Sequence, residues 1–239
     1  MHNILKVKDK LDVNRIEIPK IFNLPFSLLI SAKSGLGKST ILVNLLLRDS
    51  FYKKYFLPEN IYYVSPNKLD NKMKIIIDEL DIPSENIFNS FDEEEMNELY
   101  NVLEEDAESD LKTGNKITRK IIIMDDLAYS SALKQGKIIN KILMNGRHIN
   151  LSVIICTQKV SLLSTAIRSN ITGAILFKTN LSEVEMIENS FNYLDSKKKF
   201  IKMYTEATKK PRSFLVLNFS NSDKDGLYLD SNFNKINID

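Results

Sequence analysis

Ala32-Lys33-Ser34-Gly35-Leu36-Gly37-Lys38-Ser39-Thr40 lies between an apolar run, Phe26–Ile30, and an amphipathic one, Ile41–Leu47. A buried strand, a small-residue loop and a helix start, in that order, make a phosphate cradle. Backbone N–H groups surround the phosphates, Lys38 reaches the β- and γ-phosphates, and the Ser39 hydroxyl holds Mg²⁺ at the helix N-terminus. The segment therefore reads as a P-loop, with ATP and Mg²⁺ as the expected ligands. It departs from G-x-x-x-x-G-K-[ST] at its first position, where Ala32 stands for glycine. A lysine-bearing helix start behind a flexible loop is the plainer alternative, and the flanking strand and helix patterns argue against it.

A second element follows Lys38 by 87 residues: Ile121-Ile122-Ile123-Met124-Asp125-Asp126, an apolar strand ending in two carboxylates. It has the form of a Walker B strand. Asp125 at its carboxyl end would orient the Mg²⁺ bound by Ser39, and Asp126 would polarise the attacking water. A longer Glu usually does the latter in such ATPases, so the water-activating role of the shorter Asp126 stays open. The third element runs from Asn145 to Gln158: a helix ends, the buried strand Leu151–Cys156 follows, and the amide of Gln158 appears at that strand's carboxyl end. Ligands bind at this edge of an open parallel sheet, where Gln158 could sense the γ-phosphate or position the water. A solvent-facing Gln opening the next helix is the alternative.

Working outward, short apolar runs alternate with helical patterns. Strands are expected at Phe26–Ser31, Ile61–Val64, Lys120–Met124, Leu151–Cys156, Ala174–Phe177 and Ser213–Phe219. The first five are nearly continuous in aliphatic and aromatic residues, as strands buried on both faces require. Helices are expected at about Lys38–Arg48, Lys68–Leu80, Glu93–Glu108, Ala132–Gly146 and Ser182–Phe191. The class is α/β, a mainly parallel sheet flanked by helices. The 239 residues suffice for a single domain, with a core over about 18–219, a short N-terminal lead and a tail at 220–239.

With 43% hydrophobic and 27% charged residues and a net charge of +2, the chain has no strong global field, so any nucleic-acid contact must be local. Its single cysteine, Cys156, excludes an internal disulfide framework, suggests a reducing compartment, and reads best as a core thiol. No apolar stretch approaches the roughly 20 residues that span a bilayer. Neither does the start, with Lys6, Lys8, Asp9, Lys10 and Asp12, resemble a secretory signal. Charge is nevertheless uneven. Fourteen acidic residues and no Lys or Arg lie between Asp78 and Asp110, which reads as a solvated face or a surface for a basic partner. From Lys197 to Arg212 the balance reverses, with Lys197, Lys198, Lys199 and Lys202 at its head and Phe200 and Tyr204 interleaved. That segment reads equally as a DNA-contacting track or a plain solvated helix.

Taken together, the P-loop, the Asp125-Asp126 strand and Arg147-His148-Ile149-Asn150-Leu151-Ser152-Val153-Ile154-Ile155-Cys156-Thr157-Gln158 resemble the FtsK/HerA superfamily of DNA-pumping ATPases. Within it the chain is most similar to the genome-packaging ATPases of poxviruses, other large nucleocytoplasmic DNA viruses and virophages. Further matching segments are Ile61-Tyr62-Tyr63-Val64-Ser65-Pro66-Asn67 and Ser164-Thr165-Ala166-Ile167-Arg168-Ser169-Asn170. The resemblance implies a RecA-like P-loop NTPase core, a homo-oligomeric ring, and ATP-driven movement of double-stranded viral DNA into a capsid. It also implies a docking component on the capsid, no membrane, and residence in the host-cell cytoplasm, in a virus factory, and in the virion. Ring ATPases of this type insert an arginine into the neighbouring subunit's site, for which Arg147 and Arg168 are the candidates. His148 reads as a helix-end residue.

Three other functions share parts of this pattern. Asn67-Lys68-Leu69-Asp70 fits a guanine-reading N-K-x-D, but it stands only 29 residues after Lys38, and the single Asp-x-x-Gly, Asp223 to Gly226, comes near the end. A small-molecule kinase would share the P-loop, yet it lacks an Arg-rich lid here and gives Gln158 no task. A nucleotide-binding scaffold without turnover is the non-enzymatic alternative.

Overall fold

Strands made almost wholly of Ile, Leu, Val and Phe need cover on both faces. The computed structural model, which describes residues 22–67, 70–127, 136–221 and 226–237, provides it with an eight-stranded sheet between two helical layers. In chain order the elements are β1 (Ser27–Ser31), α1 (Lys38–Leu47), β2 (Ile61–Val64), α2 (Asn71–Glu79), β3 (Ile87–Phe88), α3 (Glu93–Lys112), β4 (Lys120–Asp125), α4 (Lys137–Asn145), β5 (Leu151–Thr157), α5 (Thr165–Ser169), β6 (Gly173–Phe177), α6 (Leu181–Phe191), α7 (Lys197–Ala207), β7 (Phe214–Asn218) and β8 (Tyr228–Leu229). Across the sheet they run β3-β2-β4-β5-β1-β6-β7-β8. The first six of these pair in parallel, whereas β7 and β8 are antiparallel to their neighbours. The expected α/β class with a mainly parallel, helix-flanked sheet is the one the chain adopts.

Alternation along each strand assigns side chains to the two layers. On β4, Ile122 and Met124 join the core under α3, α4, α6 and α7, and Ile121 and Ile123 join the core under α1 and α2. All four are 0% exposed. Full burial of one such side chain stabilises by about 1.5–3 kcal/mol, so the strand centre is held from both sides. The ends of the strands are thereby fixed as well, and with them the loops that follow.

The differences from the expected elements are local. Asp70 caps α2 by accepting the Lys72 N–H at 2.8 Å, so the helix starts at Asn71 rather than Lys68. Lys68, Leu69, residues 1–21, 132–135 and Asp223 lie outside the described residues. The tail at 220–239 contributes β8, which pairs with β7, and Leu229 bridges to Lys235; Leu227, Tyr228 and Leu229 are buried. The basic segment is α7, and its aromatics belong to the core. Phe200 is fully buried and the Tyr204 hydroxyl donates to the Phe177 carbonyl at 2.5 Å, which removes them as base-stacking groups. Among the described residues no helix is long and apolar enough to cross a membrane.

Candidate functional site

β4, β5 and β1 are neighbours in the sheet, and their carboxyl ends share one edge. Register makes them level: Cys156 of β5 stands opposite both Ile30 of β1 and Asp125 of β4. The three motifs, each placed just after its strand, therefore converge. In the loop after β1, Gly35 (φ 80) and Gly37 (φ 117) take left-handed conformations that a side chain would strain, and Gly37 opens α1. Ala32 needs no such freedom. Its φ is ordinary, it is buried at the strand end, and its N–H donates to the Thr157 carbonyl at 3.1 Å, so a methyl replaces the first glycine of the motif without strain.

Lys38 Nζ lies across the end of β5, 2.7 Å from Asp125 Oδ1 and 3.9 Å from Asp126 Oδ1. The Tyr63 hydroxyl of β2 donates to Asp125 Oδ2 at 3.3 Å. Asp126 turns out of the strand with φ 57, its N–H donating to the Cys156 carbonyl at 3.2 Å, and its Oδ1 accepts Gln158 Nε2 at 3.3 Å. One polar network thus joins Lys38, both carboxylates and the amide. Burial pushes the Lys38 ammonium down, but Asp125, through charge and hydrogen bond, with Asp126 adding to it, pushes it up further, and the net shift is upward. Burial, then the Asp125 charge, holds the Tyr63 phenol far above its usual range, so it remains a donor.

A cleft of about 350 Å³ opens over this network and over the backbone of the P-loop, with Lys33, Ser34, Ser39 and Thr40 on its floor and rim. Leu36 faces a neighbouring cavity instead. Four further residues reach the cleft: Asn67, Asp70, Lys72 and Arg212. Lys72 Nζ donates to Thr40 Oγ1 at 2.7 Å. The sequence suggests Asn67 as the end of a family-matching segment and, with Asp70, as a guanine reader, and Arg212 only as part of a basic run. No pattern marks them as site residues, because Asn67, Asp70 and Arg212 arrive from the β2–α2 and α7–β7 loops and Lys72 from the first turn of α2.

Neither candidate arginine enters the cleft. Arg147 is exposed in the turn Gly146–Ile149 before β5, at the amino edge of the sheet, and half-buried His148 sits beside it. Arg168 folds onto its own turn, donating to the Leu163 carbonyl and, at 3.2 Å, to Thr165 Oγ1. On α7, Lys197 pairs with Glu188 and Lys199 with Asp195, each at 3.6 Å, while Lys198 and Lys202 form no ion pair among the described residues. Cys156 is a core thiol pushed up by burial. Among the described residues no group of three or more His, Cys, Asp or Glu could cage a metal. Ser39 and Asp125 are hard oxygen donors, which suits Mg²⁺, an ion that takes one or two carboxylates beside phosphates and waters.

Comparison with known proteins bears on family and fold. Uncharacterized protein 015R of Frog virus 3 (isolate Goorha) is 25% identical over 153 residues, 64% of this chain and 44% of that protein, so the chain spans less than half the length of this relative. The crystal structure of B204, the DNA-packaging ATPase from Sulfolobus turreted icosahedral virus, superposes with a TM-score of 0.55 at 17% identity, covering 82% of this chain and 94% of that one. The genome packaging NTPase B204 from Sulfolobus turreted icosahedral virus 2 in complex with ATP-γS gives 0.51 at 16% identity, covering 82% and 92%. At these identities the likeness is one of fold. The profile of the poxvirus A32 protein family matches residues 14–229, most of the chain, and the chain belongs to that family.

Proposed function

We propose that this chain is a Mg²⁺-dependent ATPase that works in a ring and drives double-stranded viral DNA into a capsid. One observation carries the catalytic half: Lys38, Asp125, Asp126 and Gln158 form a connected network at the carboxyl ends of adjacent strands, under the P-loop cleft. In this reading Lys38 neutralises the β- and γ-phosphates, Asp126 orients the attacking water, and Gln158 senses the γ-phosphate. Ser39 and Asp125 would hold Mg²⁺, which when bound supplies further charge neutralisation to the transferring phosphoryl group. Membership of the A32 family, and a fold shared with B204, support the packaging half. Arg147 is the better finger for a neighbouring site, since Arg168 is already engaged. Lys198 and Lys202 on α7 are the DNA-facing cations, aided by Lys197 and Lys199. A capsid component docks the ring in the virus factory, and the assembly is carried into the virion.

Phosphate release from Mg²⁺-ATP, with and without double-stranded DNA, tests the reading. Hydrolysis should rise with DNA and vanish in Asp125→Asn. An assembled protein whose hydrolysis ignores DNA would overturn the packaging role, and a folded protein that releases no phosphate would overturn the ATPase itself.

A further inference from the structure

A second cavity, about 340 Å³, opens beside the phosphate cleft. Gly37, Thr40 and Arg212 line both, so the two spaces are contiguous around the start of α1. Topology gives the pair a direction. Asp125, Asp126 and Gln158 come from β4 and β5 on one side of β1, while Phe177, ending β6, and Phe214, opening β7, wall the second cavity on the other side. A nucleotide whose γ-phosphate lies toward Asp126 and Gln158 extends its opposite end into that space.

The wall there is aromatic. Phe177 and Phe214 have ring centroids 5.0 Å apart, Phe214 and Phe233 6.1 Å, and Phe233 and Phe51 5.4 Å. Phe233 is delivered by a loop in which the Asp230 carboxylate accepts the N–H groups of Asn232 and Asn234 at 2.8 and 2.9 Å. Arg212 sits at a turn closed by the Ser213 N–H donating to the Lys210 carbonyl at 3.1 Å. Five non-glycine residues have positive φ among those described, and three of them, Asp126, Arg212 and Phe233, line the two cavities. Large side chains seldom take this conformation, and those that do concentrate at ligand clamps.

We infer that the aromatic cavity holds the purine base of the nucleotide, clamped between Phe233 and Arg212, and that it distinguishes adenine from guanine poorly. The inference rests on the P-loop reading above. Stacking accepts any base, because each has a π-face. Around the edge stand donors and hydroxyls, from Asn44, Arg48, Arg212 and Ser231, and among the described residues no carboxylate lines the space. A guanidinium can meet N7, an acceptor common to both purines, but guanine's N1–H and amino group call for a carboxylate. Asn67 and Asp70, which suggested a guanine reader in the sequence, lie on the far side of β1 in the phosphate cleft.

Calorimetry with the Mg²⁺ complexes of ATP, GTP and tripolyphosphate tests this. Wild type should bind tripolyphosphate about 5- to 150-fold more weakly than ATP, the range one stacked base supplies, and should bind ATP and GTP within about tenfold of each other. Phe233→Ala should weaken both nucleotides about tenfold and leave tripolyphosphate unchanged. Phe233→Leu, which keeps bulk but removes the ring face, should act likewise, and Phe233→Tyr should restore binding. Equal affinity for ATP and tripolyphosphate, a more than tenfold preference for ATP over GTP, or an equal loss of all three ligands in the Phe233 variants would overturn the inference. If instead Lys38→Ala binds all three as wild type does, the P-loop reading itself is what fails.

Discussion

Strand β4 buries a charge at each end, and the two ends are built in opposite ways. At the carboxyl end Asp125, 4% exposed, has Lys38 and Tyr63 on its two oxygens. At the amino end Lys120 is 1% exposed, and its Nζ has no hydrogen-bond partner among the described residues. The same contrast separates the two lysines. Burial lowers the Lys120 ammonium, and the charges of Asp106 and Asp110 counter this only in part, whereas the charges around Lys38 leave it raised. A buried charge with partners is held in a defined place, where a ligand can exchange with those partners. A buried charge without partners is a cost to folding.

The largest expected effect lies at the paired end. Lys38→Ala should lower ATP hydrolysis at least about 10³-fold, roughly 4 kcal/mol of transition-state stabilisation, in phosphate-release assays. A residual rate within tenfold of wild type would break the functional side of the comparison. Next, Asp126→Asn and Gln158→Ala should each cut single-turnover hydrolysis about 10²-fold while ATP affinity stays within about threefold. Equal losses of rate and affinity would make them binding groups instead.

The unpaired end gives a smaller effect of opposite sign. Lys120→Met should raise the unfolding free energy at neutral pH by about 1–2 kcal/mol in urea titrations and leave hydrolysis unchanged. The pH dependence sharpens this. Because the folded pKa of Lys120 is below 10.5, the unfolded chain binds more protons between the two values, and wild-type stability gains a rising contribution in that window. For Lys38 the folded pKa lies above 10.5, so its contribution is complete below 10.5 and is lost as pH climbs through the folded value. Lys120→Met should remove the rise alone; if the rise persists, Lys120 is not its source.

The smallest effect concerns exposed lysines, again partnered against unpartnered. Lys198→Ala with Lys202→Ala should flatten the log–log salt dependence of DNA binding by up to about 0.9 for each phosphate no longer neutralised. Lys197→Ala with Lys199→Ala should change it less, since Glu188 and Asp195 already screen those cations. Identical slopes for both pairs and wild type would place the DNA track off α7.

Much of the site is legible in the sequence because Asp125, Asp126 and Gln158 stand where an apolar run stops, and Lys38 opens the helix that follows another. Runs this short and this rich in β-branched residues read as strands buried on both faces, and parallel strands bring their carboxyl ends to one edge. The same logic does not reach Arg212 or Phe233. Loop residues carry no periodicity, and their approach to the P-loop depends on which strands become neighbours. Strands β3 and β8, two residues each, are too short to show alternation. On α7 the aromatics Phe200 and Tyr204 are four residues apart, which is core spacing on a helix, yet the lysines around them give a pattern that DNA-binding segments share.

Asp126 is bent into the left-handed region at φ 57 and anchored there by the Cys156 carbonyl. Asp and Asn are several-fold enriched in that conformation because their short polar side chains can bond locally. Glutamate has no such advantage. An Asp in place of the expected Glu thus suits the bend: the chain selects a residue for how it turns, and its carboxylate is thereby set beside Gln158 and Lys38. Lengthening it to Glu would trade reach for conformational cost, so the mutational path between the two acids at this position is uphill unless the backbone after β4 changes with it.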